Sequence, residues 1–275
     1  MRRVLRPALF IGLVLVGIAW LGFQVPAPPP ELRTATSRFP GTAVVYVGLP
    51  PGLQSYLAQT VSRTPPVTTT AHLWGTGRLL AQIGPLSFWF PLRWEEFIDV
   101  TRGFIWRAEV AWWRVGILTI EDRWDDGEGV TRIGWRQKSG PCVSQSQAMR
   151  GLAELVWLPS ALVTRPDITW TARGDRTAIM GYAGPAGPDS LVVRFDRRTG
   201  ALTAIAGAGT RCRASGASPA SWVLRLIGWD APGGLIVPVD GEVAWDDKPY
   251  YRFHVVGITY NEPLDDRFGP TPTSP

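Results

Sequence analysis

Nucleophilic hydrolysis needs a Ser or Cys beside a base, with an acid that holds the base in place. The sequence supplies two histidines, His72 and His254, and no Gly-x-Ser-x-Gly elbow. Both fall in alternating, strand-like patterns. His72 is in phase with Thr68, Thr70 and Trp74, and His254 with Tyr250, Arg252 and Val256. Half-exposed strand histidines account for both. Glu121-Asp122 and Asp125-Asp126 bring carboxylates together, but a calcium loop needs oxygen ligands at alternate positions. Here Trp124 interrupts the series, and Ile133 stands where the bidentate Glu belongs. Glycosidase carboxylates face each other across a cleft, which sequence neighbours on one strand do not. A solvated turn is the expectation. Gly75-x-Gly77 and Gly207-x-Gly209 lack the third glycine of a dinucleotide fingerprint and its βαβ setting. Nothing here assembles a reaction, so we expect a binding or structural protein, with no catalytic residue, no cofactor and no metal site.

Arg150 and Glu154 are the more promising pair. They lie one helical turn apart, with Trp157 and Pro159 close behind, so this helix end is expected to be buried. We read the two as a structural polar clamp that ties helix to sheet, through groups such as Asp125 or Arg211. The alternative is a site for a ligand head group. Six aromatic residues on strand-like segments (Trp89, Trp94, Trp106, Trp112, Tyr182 and Trp245), together with Trp157 on the helix, are candidates to line an apolar cavity. A filled core explains the same residues.

Cys142 and Cys212 are the only cysteines. An even count suits a disulfide if the chain resides in an oxidising compartment, and such a bridge would staple the start of the helix to a distant strand. Two buried thiols are the other possibility. Without a nearby His the pair is not a zinc pattern.

These residues must be positioned by something. The most helix-like run outside the N-terminus is Ser144–Trp170. Ser144 with Gln147 reads as a capping box, while Ala148, Leu152, Leu155 and Val156 form one apolar stripe that Pro159 ends. A helix of this kind needs a sheet to cover. Flanking segments alternate with period two: Thr68–Trp74, Phe104–Trp112, Ile117–Trp124, Val130–Arg136, Ile168–Ala172 and Ala178–Tyr182. Leu191–Asp196 and Ala201–Ala206 are joined by Arg197-Arg198-Thr199-Gly200, a hairpin loop, and Trp222–Trp229, Leu235–Val237, Glu242–Trp245 and Tyr250–Tyr260 follow. Pro51–Val61 is a short amphipathic helix and Ala43–Val47 a short strand. Ten to twelve strands in meander order predict one antiparallel α+β domain over residues 41–260, with a disordered tail at 261–275.

The N-terminus carries the strongest physical signal. Arg2, Arg3 and Arg6 precede Ala8–Phe23, sixteen residues without a charge. This predicts one N-terminal transmembrane helix within residues 1–24, the N-terminus cytoplasmic and the domain extracytoplasmic. The rival is a cleaved secretory signal ending at Val25-Pro26-Ala27, which leaves Pro28 first in the mature chain. Residues 25–40 read as a Pro-rich stalk. The net charge of +5 owes much to this segment: 28 basic residues less those three arginines leave 25 against 23 acidic. No basic run remains, and nucleic acid is not an expected partner. The expected partners are the membrane and a lipid or other apolar small molecule.

The order Gly75-x-Gly77-Arg78, Gly103-Phe104-Ile105-Trp106-x-Ala108, Asp125–Gly129, Arg150-x-x-x-Glu154-x-x-Trp157-x-Pro159, Ile168-Thr-Trp170, Ile236-x-Pro238 and Tyr250-Tyr251-Arg252 resembles an uncharacterised bacterial domain-of-unknown-function family. The resemblance runs from Leu49 to Tyr260, and the Glu154–Leu162 block is its most specific part. It implies a lipoprotein-carrier-like fold: a strongly curved antiparallel sheet, or half-barrel, with helices on its concave side. Such folds often hold acyl chains. The function it implies is an extracytoplasmic, membrane-anchored binding protein for a lipid or other apolar ligand. The alternative is a non-catalytic cell-envelope interaction module with a filled core.

Overall fold

The computed structural model describes residues 2–31, 36–39, 48–60, 66–184, 187–213 and 216–268. The expected strand Ala43–Val47 lies outside these. After a helix α1 (Arg2–Gly22) and a short helix α2 (Pro51–Thr60), six strands run as a meander: β1 (Thr70–Ile83), β2 (Leu86–Asp99), β3 (Gly103–Trp112), β4 (Val115–Asp125), β5 (Glu128–Ile133) and β6 (Arg136–Ser139). Helix α3 (Pro141–Glu154) follows, with a 3-10 turn at Leu155–Trp157 and a single turn α4 (Ala161–Thr164). The second meander is β7 (Ile168–Ala172), β8 (Thr177–Gly184), β9 (Gly187–Phe195), β10 (Leu202–Arg213), β11 (Gly216–Asp230), β12 (Val237–Trp245) and β13 (Lys248–Tyr260), ending in one turn, α5 (Asp265–Phe268).

Among the described residues these thirteen strands form one antiparallel sheet, in the order β6-β5-β4-β3-β2-β1-β13-β12-β11-β10-β9-β8-β7. The edges β6 and β7 do not pair with each other, so the sheet stays open. The two meanders join through β1 and β13, where Leu73 faces Ile258 and Leu79 faces Tyr251.

The curvature follows from what α3 touches. On one side Gly129 N of β5 donates to Ser144 Oγ at 2.9 Å, and on the other Cys142 is bonded to Cys212 of β10. Eight interstrand steps separate β5 from β10, roughly 38 Å in a flat sheet at ~4.8 Å per step, whereas a helix is only about 10–12 Å across. The sheet must therefore wrap around α3. Glycines permit the close approach: a Cβ on Gly129 would lie 2.6 Å from Ser144 Cα, and one on Gly209 2.8 Å from Met149 Cε. Gly207-x-Gly209 is thus a packing feature of β10.

The concave face carries alternate residues, Leu92, Trp94, Glu96 and Ile98 on β2 and Phe104, Trp106, Ala108 and Val110 on β3. They meet Ala148, Met149, Leu152, Leu155, Val156 and Trp157 from above. The Trp157 indole donates to Pro238 O at 2.9 Å and Tyr56 on α2 donates to Val156 O at 3.0 Å, which hold the end of the helix down.

Three expectations are corrected. The capping box is absent: α3 starts three residues earlier, with Pro141 in its first turn, and Ser144 faces β5 instead. The strand expected over Thr68–Trp74 does not stop at Trp74, because β1 continues through a bulge at Trp74/Gly75 and pairs with β2, a strand the aromatic-rich run 86–99 did not announce. Part of the expected tail packs. Leu264 and Phe268 are buried with Phe97 and Ile105 on the convex side, where Arg102 and Arg123 donate to Phe268 O. Among the described residues no helix is long and apolar enough to cross a membrane. Helix α1 nonetheless runs to Gly22 with Phe10, Leu13, Leu15 and Val16 exposed.

Candidate functional site

Between α3 and the sheet lies a chamber of about 210 Å³. Leu79, Trp94 and Trp106 wall it from one meander, Leu224, Val243 and Phe253 from the other, and Trp157 lies over it. It opens past Asp122, Thr131, Ile133, Arg150, Trp222 and Tyr250 into a wider vestibule of about 450 Å³, where Arg136, Lys138 and Arg211 also stand. The inner walls are apolar and the mouth is basic. Two strand meanders contribute opposite walls because the sheet has folded them toward each other.

Arg150 sits where chamber and vestibule meet. Its guanidinium donates to Glu154 Oε1 at 2.5 Å, Asp122 Oδ2 at 2.8 Å and Glu96 Oε1 at 3.1 Å. The Phe104 and Trp106 rings lie 4.8 and 5.0 Å from its Cζ. Planar, fork-shaped donors flanked by aromatic faces are what a guanidinium does well and an ammonium does not. Three carboxylates around one cation leave excess negative charge in a dry place, so a proton is retained. Burial, and then the charge on Glu154, hold the Glu96 carboxyl well above the ordinary glutamate range, with Arg150 opposing. Burial also raises Glu154, again against Arg150. Glu154 Oε2 is buried without a hydrogen bond of ordinary geometry, and the neutral Glu96 carboxyl is the group placed to supply one. The surrounding carboxylates keep Arg150 protonated.

Tyr251 adds a polar atom to the apolar wall. Its ring meets the Trp106 indole edge-on at 5.5 Å, yet its hydroxyl is buried and makes no hydrogen bond of ordinary geometry. Burial raises its pKa, with the neighbouring Arg150 and Trp106 opposing, so the hydroxyl stays protonated. Tyr250 behaves differently, accepting from the Trp222 indole at 3.4 Å.

Of the seven aromatic candidates, Trp94, Trp106 and Trp157 line the chamber and Trp245 lines the vestibule. The other three are elsewhere. Trp89 projects from the opposite face of β2, under the Arg252 guanidinium. Trp112 ends β3 and donates to Ala19 O. Tyr182 packs beneath Arg165, 5.6 Å from ring centroid to Cζ. Arg150 and Glu154 do tie helix to sheet, but through Glu96 and Asp122. Asp125 instead pairs with Arg102 and Arg123 at the far end of the strand, and Arg211 lines the vestibule. Asp122 is therefore no part of a solvated turn. The sequence reading missed Glu96, Trp222, Tyr250 and Tyr251. Strand parity marks Glu96, which shares its face with Leu92, Trp94 and Ile98 and is the one acid among them. The Trp222–Trp245 pairing across β11 and β12 has no signal in a single strand. His72 stacks on Phe97 and comes within 3.8 Å of Glu95, and His254 pairs with Asp240.

A family model described as "Family of unknown function (DUF6544)" matches residues 45–253. No curated protein matches the sequence. Among solved structures, the chain is similar to a putative outer membrane lipoprotein-sorting protein domain from Vibrio parahaemolyticus. That match has 8% identity and a TM-score of 0.41, covering 72% of this chain and 89% of that one. It is also similar to a DUF1329 family protein from Desulfovibrio piger, at 8% identity and a TM-score of 0.43 over 73% and 90% of the two chains. A LolA superfamily protein from Nitrosomonas europaea gives 9% and 0.42, over 80% and 96%.

Proposed function

The chain belongs to the DUF6544 family of unknown function, and we propose that its sheet holds a small lipid or other apolar ligand, one chain wide, in the chamber beneath α3. One observation carries this reading: an apolar chamber of about 210 Å³ that opens into a basic vestibule. The chamber is smaller than the roughly 300–1,000 Å³ of drug-sized sites. It therefore takes a single narrow chain, and the vestibule takes the polar group to which that chain is attached. Binding is favoured over catalysis because the titratable groups at the chamber satisfy one another. Arg150 is committed to three carboxylates, and the Thr131 hydroxyl beside them donates to an Asp122 carboxylate that Arg150 already holds.

The setting we propose is extracytoplasmic, with the chain held at the membrane by its N-terminal segment. Arg2, Arg3 and Arg6 ahead of Ala8–Phe23 support that orientation, and the Cys142–Cys212 bridge supports an oxidising compartment. The filled-core alternative, an interaction module of the cell envelope, requires the chamber to be collapsed in solution.

The test is uptake of a dansyl-labelled fatty acid by the full chain, compared with Leu224→Trp, which fills the chamber from β11. The reading expects saturable fluorescence enhancement that the variant loses while its melting temperature stays within a few degrees. A well-folded wild-type chain that takes up no probe sinks it.

A further inference from the structure

Antiparallel alternation brings three hairpin turns of the first meander to one end of the sheet: 83–86 between β1 and β2, 112–115 between β3 and β4, and 133–136 between β5 and β6. Their large apolar side chains point into solvent. Ile83, Leu86, Val115, Ile117 and Trp135 are 53–90% exposed, with Trp135 the extreme. Single exposed apolar residues are ordinary, but a row along one rim is not. The charge at the tips is net positive, the nearest acids being Glu109, which lies against Gly116 and pairs with Arg93, and Glu121, which pairs with Arg132. Arg114, Arg132, Arg136 and Lys138 interleave with the apolar residues, and 82–94, 111–120 and 130–140 contain no Asp or Glu. At the opposite end the turns carry Asp99, Asp125, Asp126 and Glu128, with Asp125 paired to Arg102 and Arg123.

Two further observations set this rim apart. Trp113 and Arg114 occupy a two-residue turn with φ of 48° and 70°, the conformation usually given to Asn-Gly. Side chains so ill suited to the backbone mark a tip whose chemistry is used. The rim is also continuous with α1. Trp112 Nε1 donates to Ala19 O and Trp113 N to Gly22 O, both at 3.0 Å, while Trp20 and Phe23 meet Phe88 and Phe90 edge-on.

We propose that this rim docks on an anionic lipid bilayer, its Trp and aliphatic tips entering the interface and its arginines meeting the head groups. The occupant is identified by the combination of net cationic charge at the tips, interfacial tryptophan and direct continuity with an apolar helix. The continuity argument rests on reading α1 as the membrane segment, whereas the exposed tips and their charge do not, and the experiment separates the two.

The full chain is prepared as Trp135→Cys and, as a control at the opposite end, Asp126→Cys, each labelled with bimane. Each is added to vesicles of phosphatidylcholine with phosphatidylglycerol, carrying nitroxide lipids. Docking predicts quenching at position 135 severalfold stronger than at 126, and a marked loss of that difference in Arg114→Glu/Arg136→Glu. Carbonate extraction reports on α1 independently. Quenching at 135 by a chain that carbonate strips from the vesicles upholds the rim and refutes the anchor. A chain that resists extraction but shows equal quenching at both positions overturns the rim and leaves the anchor standing. Equal quenching together with self-association in sedimentation assigns the rim to a second copy, which also overturns the proposal.

Discussion

Arg150 on α3 and Glu96 on β2, 54 residues apart in sequence, meet at 3.1 Å inside the curve of the sheet. With Asp122 and Glu154 on the same guanidinium, the contact joins the helix to two strands of the first meander at the neck of the chamber. A surface pair at this spacing contributes only a few tenths of a kcal/mol. Here the surroundings are dry, and loss of the cation leaves acids stranded.

Arg150→Ala is accordingly expected to destabilise the fold by about 3–5 kcal/mol. Arg150→Lys should recover only part of this, because an ammonium cannot address three carboxylates from one plane. Chemical denaturation of both variants is the check; equal stabilities for Lys and Arg would contradict the geometry.

The shared proton gives a pH dependence with a definite sign. The folded values of Glu96 and Glu154 lie above the ordinary range, so the native state keeps protons that the unfolded chain releases. Their contribution is fully present in acid, below the ordinary glutamate range, and is lost as pH climbs from there through the folded values. Glu96→Gln mimics the neutral carboxyl and should flatten the fall in melting temperature between mildly acidic and mildly alkaline buffer. An unchanged slope would mean that Glu96 is ionised against Arg150.

The Cys142–Cys212 bridge spans 70 residues of sequence. Chain entropy alone then predicts that the double Ser variant loses about 4 kcal/mol. Because the bond pins α3 to the second meander while Arg150 pins it to the first, hydrogen exchange should rise in β10 before β4.

On the convex face, Phe268→Ala should cost about 3 kcal/mol, the scale for a buried aromatic, although the composition around it reads as a tail. A change below ~0.5 kcal/mol, the size of an ordinary surface effect, would show that the segment contributes little.

Much of the architecture was legible because the two periodicities are local. Phe104–Trp112 and Ile168–Ala172 alternate cleanly, and both emerged as strands. The Arg150–Glu154 pair was visible from helical spacing. What stayed hidden depends on distant neighbours. Nothing within β2 says that Glu96 faces Arg150, and nothing within α3 says that Ser144 will serve β5 in place of its own N-terminus. Aromatic richness alone could not sort Trp94 and Trp106, which face the chamber, from Trp89, which is of opposite parity on β2. Trp112 has the same parity as Trp106 but lies too close to the end of β3 to reach inside. Strand parity together with position along the strand is the sharper guide.

The most direct test is photo-crosslinking of the full chain in vesicles with a diazirine fatty acid, read by peptide mass spectrometry. Oleate-competed adducts on peptides carrying Trp106, Val243 and Tyr251 are predicted. Adducts confined to α1 and the hairpin tips, with none in the chamber, would contradict the account.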